Sequence, residues 1–405
     1  MRCVPGGIED DLMNPEDPAR RFAAMAKLRA EAPIHALGGA EGPWYLARRD
    51  AVTEALPQVL HFGGGVGAGD VPVDDQALNG VLEPRHGEFR RLVNGLIAPH
   101  KARRVKPFLE TELCPRLLDA VAQRAARGEV VDVMRDYLDH VPSSAIAWLL
   151  GWPLEDALQL YQWTLEICER GMEMRPGTDL ALREIHPVFA AYVEKRLAER
   201  LALPESEWPE DGISKLLVSE VEGERLSPAA VRTQLMFLLG AGSETTRDML
   251  GGLVFELARD PALYQRLRGD RSGIANACEE ALRIYSPTQF MVRRCLQPVT
   301  IAEHAFAEGN LVFFGLASAN RDEAHFEEGE RFDAQRANAA DHLALGAGPH
   351  LCLGNSLLRL ETQIAIGALL DRFEAIELAE GPGFEALHTA MFYGPKRLPL
   401  RLHPA

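Results

Sequence analysis

A helical signal that begins at Leu226-Ser227-Pro228 and continues unbroken to about Arg259 limits the folds open to this chain more than any other stretch. Serine suits the N-cap because its hydroxyl accepts a backbone N–H, and proline suits the first helical position because the donor it lacks would go unpaired there. From Leu235 to Ala241 the run is apolar on every side, so it is expected to be buried all round, through the centre of a mainly α fold. Its middle reads Gly240-Ala241-Gly242-Ser243-Glu244-Thr245-Thr246. Glycine inside a helix costs about 1 kcal/mol against alanine, so two glycines beside an acid and two alcohols need a reason. An ordinary kink, with threonine bonded to a preceding carbonyl, is the plain alternative.

The rest of the chain supports the helical reading. Residues 18–32 place Phe22, Met25 and Leu28 at helical spacing, and residues 111–127, 137–150, 153–170 and 183–201 are helical in period between Gly or Pro breaks. Residues 43–56 alternate like a short strand or two before a helix. Residues 61–84 turn Gly-rich and polar, as expected of a long mobile loop of the kind that forms lids or binding loops, and residues 171–178 form a flexible connector holding Met172 and Met174. At 405 residues the chain exceeds the usual ~100–200 per domain, but its motifs are spread over its whole length. One domain, 1–405, is expected, with residues 1–15 flexible.

A net charge of −16 argues against nucleic acid as partner, since phosphate recognition needs clustered positive charge. One basic stretch stands out in this acidic chain: Arg90, Arg91, Lys101, Arg103, Arg104 and Lys106. A run of this kind is usually a solvated face. The six cysteines, Cys3, Cys114, Cys168, Cys278, Cys295 and Cys352, contain no C-x-x-C pair, which favours a reducing compartment over a disulfide framework or a zinc site. No apolar run approaches the ~20 residues of a membrane span, and the N-terminus resembles neither signal peptide nor anchor. A soluble, cytoplasmic monomer is expected.

Near the end lies Leu345-Gly346-Ala347-Gly348-Pro349-His350-Leu351-Cys352-Leu353-Gly354, followed by a helical pattern. A cysteine is more often a small buried hydrophobe than a ligand. Three glycines around it change the reading, because glycine permits positive φ and close approach to a large flat object. The loop resembles the haem-binding loop of the cytochrome P-450 family, which implies haem b as cofactor and Cys352 as the axial thiolate ligand of its iron. Gly346, Gly348, Gly354 and His350 would then line the cofactor. Leu345 stands where the family usually has Phe.

Further motifs follow in the family's order. His86 and Arg90 lie four apart on one helix face and resemble the pair that holds a haem propionate, with Arg293 as a further partner. The segment around Ala241 and Gly242 resembles the oxygen-activating stretch, where the helix opens over the haem and Glu244 and Thr245 form an acid–alcohol pair that handles protons. Ser243 replaces a common His. Glu280 and Arg283 resemble the family's E-x-x-R motif, with Arg336 completing a structural triad. Phe237, Leu238, Ala241, Phe290, Met291, Val292, Met391 and Phe392 would line the substrate pocket.

The resemblance implies the mainly α cytochrome P-450 fold with a small β region. It also implies a haem-thiolate monooxygenase that inserts one oxygen atom from O2 into an apolar small molecule. Electrons would come from NAD(P)H through a ferredoxin or flavodoxin-type carrier and its reductase. A peroxygenase using H2O2 is one rival, against which the Glu244–Thr245 pair speaks because that route has less need of proton delivery. A non-catalytic haem sensor is another. A hydrolase with Cys352 as nucleophile and His350 as its helper leaves the glycines and the remote basic residues unexplained.

Overall fold

The computed structural model describes residues 7–14, 17–39, 42–64, 71–173, 180–379, 381, 383–387 and 389–405. The helices that position the site are α1 (Pro18–Glu31), α2 (Arg85–Ile97), α3 (Cys114–Ala125), α4 (His140–Leu150), α5 (Ala157–Glu173), α6 (Pro187–Leu201), α7 (Pro228–Arg259), α8 (Gly273–Tyr285) and α9 (Asn355–Arg372). Helix α7 starts where its cap predicts, with the Ser227 hydroxyl accepting from the Ala230 N–H at 3.0 Å. It runs through the molecule against α4, α5, α6 and α8.

Two apolar cores meet along α7. Its N-terminal half, Ala230 to Leu239, packs with residues of α2, α4 and α6, while Met249 to Ala258 pack with α3, α8 and α9. The small and polar residues 240–248 fall between these cores. Apolar side chains on both halves hold the helix in place, and the middle is left free for other chemistry.

The β structure is small. A five-stranded sheet runs β1 (Ile34–Ala36), β2 (Trp44–Leu46), β5 (Leu311–Phe314), β4 (Met291–Cys295) and β3 (Phe62–Gly63) in spatial order. Strand β5 is parallel to β2 and antiparallel to β4, with Val312 opposite Arg293. Among the described residues, no helix is long and apolar enough to cross a membrane.

Several local expectations change. The helix expected over 183–201 is divided: residues 182–185 form a separate turn and α6 begins at Pro187. Proline lacks the N–H that would continue the ladder and disfavours helical backbone before it, and the His186 ring instead caps the new start, accepting from the Phe189 N–H at 3.0 Å. Within the segment expected to be flexible, Ile8–Leu12 is a short helix because Leu12 is buried beside Met25 and Phe313. Residues 65–70 of the Gly-rich stretch and 174–178 of the methionine connector lie outside the described residues. The remainder of the Gly-rich loop is tied down, since buried Asp75 pairs with Arg183 at 3.0 Å and with Arg232 on α7.

Candidate active site

The cysteine loop is shaped by backbone. Gly346 and Gly348 take φ of +69° and +62°, which side chains rarely tolerate. The Cys352 N–H donates to the Leu345 carbonyl at 2.8 Å and the Leu351 N–H to Gly348 at 3.0 Å, folding the loop back on itself. Asn355, first residue of α9, donates its side-chain amide to the Cys352 carbonyl at 2.6 Å. Burial pushes the Cys352 thiol up, while the N–H groups of Gly354 and Asn355 and the charges of Arg90 and Arg359 work against that rise. Beside it, the apolar Leu351 is left exposed.

Four basic side chains converge near this loop. The His86 ring lies against the His350 ring with centroids 4.1 Å apart, and Arg90 donates to the Leu351 carbonyl. Burial, then the neighbouring charges of His86, Arg293 and Arg90, push the His350 ring down to about 3. Arg293 is only 6% exposed, and burial lowers it to about 10. Its recorded hydrogen bond is to the neighbouring Val292 carbonyl at 2.8 Å. Among the described residues, the carboxylate hydrogen-bonded to this quartet is Glu83, on His86 at 2.9 Å. A buried cation without an anion is costly, so this quartet calls for negative groups from outside the chain.

On α7 the expectation of burial all round from Leu235 to Ala241 does not hold. Phe237, Ala241 and Thr245, spaced four residues apart and so on one face, keep open surface, and Ala241 is exposed at the centre of the fold. Gly242, expected to border the cofactor, instead abuts α4: a Cβ there would meet Ile146 at 2.8 Å. Gly240 likewise faces Thr164 of α5 at 3.2 Å. These glycines therefore allow close helix packing. The helix also does not open here; it is continuous, with the Ser243 hydroxyl donating to the Leu239 carbonyl at 2.7 Å. Glu244 is buried on the α5 side, where the Cys168 thiol donates to it at 3.0 Å.

The expected pocket residues divide in two groups. Phe290 and Val292 are buried in one cluster with Met25, Tyr45 and Phe313, and Leu238 is buried with the α2–α6 core. Met291, on the other face of β4, and Met391 and Phe392 keep part of their surface. The turn holding Met391 is pinned by the Gln289 N–H on its carbonyl at 2.8 Å.

Glu280, Arg283 and Arg336 come together as a buried triad. Glu280 accepts from Arg283 at 2.7 and 2.8 Å, from Arg336 at 3.1 Å and from the Asp333 N–H at 2.8 Å. Sequence reasoning passed over the neighbouring Glu279, which accepts from Arg359 at 2.6 and 2.9 Å and meets His342 at 3.2 Å. Its signal was available, because Arg359 is one turn beyond Asn355 on the helix that leaves the cysteine loop. The Cys168 contact had none.

A thiol held in a glycine-shaped loop, a basic quartet with one carboxylate partner and an open stripe on the central helix fit an iron porphyrin with two propionates. The Cytochrome P-450 family model matches residues 174–392, more than half of the chain. The chain belongs to the cytochrome P-450 family. It is 34% identical over 300 residues to "Polyketide biosynthesis cytochrome P-450 PksS" of Bacillus subtilis, covering 74% of this chain and 71% of that protein. It is 31% identical to the "Vitamin D(3) 25-hydroxylase" of Pseudonocardia autotrophica over 94% of this chain and 93% of that one. Among solved structures, CYP108D1 from Novosphingobium aromaticivorans superposes over 100% of both chains with a TM-score of 0.84 at 25% identity. This cytochrome P-450 is therefore a haem-thiolate monooxygenase with haem b as its cofactor.

Proposed function

We propose that Cys352 is the axial thiolate ligand and that His86, Arg90, Arg293 and His350 receive the haem propionates. The observation that carries this reading is the convergence of four basic side chains, with one carboxylate, beside the only cysteine held in a glycine-shaped loop among the described residues. When bound, the haem supplies the one-electron and dioxygen chemistry, and a thiolate ligand favours O–O cleavage. The chain's own work is to place substrate, exclude water and deliver protons. Thr245, on the open stripe, would hold a proton at its hydroxyl for the dioxygen chemistry that bound haem supplies. Glu244, buried behind it, relays protons from the α5 side.

Phe237, Ala241, Met291, Met391 and Phe392 form the apolar walls that touch substrate, backed by Leu238, Phe290 and Val292. Relatives named for polyketide biosynthesis and vitamin D3 hydroxylation support a bulky apolar substrate. The basic stretch supports docking of an acidic ferredoxin or flavodoxin-type carrier: residues 99–102 and 106–108 pack along α9, the helix that leaves the cysteine loop, and Arg103 between them is exposed. The chain acts in the cytoplasm as a one-domain monomer. A library screen for compounds that shift the haem spin state tests the pocket, and Cys352→Ala tests the ligand. A reduced, CO-bound spectrum identical in that variant would remove Cys352 from the site.

A further inference from the structure

Behind the cysteine loop, a chain of polar contacts runs from His342 through Glu279 and Arg359 to Asn355 and Cys352. The His342 ring meets Glu279 at 3.2 Å, and the Arg359 guanidinium forks onto both Glu279 oxygens at 2.6 and 2.9 Å. A second arm of that guanidinium reaches the Asn355 carbonyl and side-chain oxygen, each at 3.4 Å. Asn355 holds the Cys352 carbonyl, and its own N–H acts on the sulfur. The Glu279 and His342 side chains are 13% and 2% exposed and that of Arg359 is 36% exposed, so water screens the Glu279 carboxylate less than it screens the guanidinium.

We propose that Glu279 and Arg359 form a matched charge pair that positions Arg359 against the Cys352 loop and thereby sets the reduction potential of the site. The proposal rests on Cys352 being the ligand. Arg359 on α9 and Arg90 on α2 are the cations that act on the sulfur, and the influence of Arg359 and Cys352 is mutual. Reduction adds one electron to the centre from an external donor, and no bond in the chain forms or breaks. A nearby cation favours the reduced state and a nearby anion the oxidised one. Glu279 offsets part of the Arg359 charge, so the field of the pair at the sulfur depends on both charges being present. This arrangement explains why a carboxylate is buried beside the triad acid without serving the triad. Glu279 turns its oxygens toward α9, whereas Glu280 turns to Arg283 and Arg336.

The test is spectroelectrochemical titration of the purified holoenzyme. Glu279→Gln leaves Arg359 uncompensated, so its midpoint is expected to rise, with the ferrous-to-ferric ratio at fixed poise increasing about three- to tenfold; tenfold corresponds to about 59 mV for one electron. Arg359→Met leaves the anion instead and is expected to lower the midpoint by a comparable factor. Arg359→Lys keeps the charge and should stay close to the parent, while Glu279→Gln/Arg359→Met should return toward it. A merely structural role moves both single variants the same way, and that outcome, or two unmoved midpoints, overturns the proposal. Should Glu279→Gln not accumulate, the contrast between Arg359→Met and Arg359→Lys decides alone. The reduced, CO-bound spectrum of each protein separates the two claims. If the parent lacks a thiolate-type band, the ligand reading fails; if the band is intact and the midpoints stay fixed, the charge-pair proposal fails.

Discussion

Removing Glu280 is expected to strand two buried cations. Its side chain and that of Arg283 are both 0% exposed, and that of Arg336 is 7% exposed. Glu280 is the carboxylate for both arginines, accepting two bonds from Arg283 and one from Arg336. Breaking a buried ion pair by deleting one partner costs about 3–5 kcal/mol, because the remaining charge is neither hydrated nor compensated. Arg283 retains the carbonyls of Asn320, Gly329 and Arg331 at 2.7, 2.7 and 3.0 Å, which partly solvate it. The loss of Arg336's partner adds to the cost, so Glu280→Ala should fall within that range. Arg283→Met should also be costly, because it takes two bonds from Glu280, which keeps those from Arg336 and the Asp333 N–H, and leaves the Asn320 and Gly329 carbonyls without this donor. The double variant removes both charges and should cost less than the sum by about 1–3 kcal/mol. Urea melts followed by far-ultraviolet circular dichroism, with haem absorbance read separately, measure each value. Single losses under about 1 kcal/mol, or strict additivity, would refute the account of the triad as a buried charge network.

Thr245→Ala should leave haem and substrate binding nearly intact while product per NAD(P)H falls and peroxide rises; full coupling would exclude the Thr245 hydroxyl from proton delivery. Reversing charge with Arg103→Glu and Arg104→Glu should slow reduction by an acidic carrier, with a weaker salt dependence than the parent, as stopped-flow would show. Arg359 and His342, against opposing burial, hold Glu279 down to about 2, below its ordinary value of 4.5. The folded chain thus releases this proton more readily than the unfolded one, so the pair adds stability above the unfolded value and loses it as pH falls toward about 2. Glu279→Gln should flatten that acid limb in urea midpoints taken from pH 5 down to pH 3. An unchanged slope would show that the pairing does not stabilise the fold.

The sequence by itself determined the elements whose cause is local. Ser227 and Pro228 started α7 because a cap and a missing donor act within one turn, and Pro187 divided a helix for the same kind of reason. The cysteine loop was legible because its glycines announce backbone that other residues cannot adopt, as Gly346 and Gly348 do. Residues brought together across the chain left weaker signals. That His86 lies on His350, that Arg293 is buried near them, and that Gly242 serves α4 and not the open stripe depend on how α2, β4 and α4 dock against each other. The Glu279–Arg359 fork and the Cys168–Glu244 contact join residues 80 and 76 positions apart. Burial, desolvation and the meeting of charges belong to the packed interior, and no spacing along the chain encodes them. For that reason the chemistry of the loop could be read from its residues, whereas the electrostatic setting of Cys352 was decided only by tertiary packing.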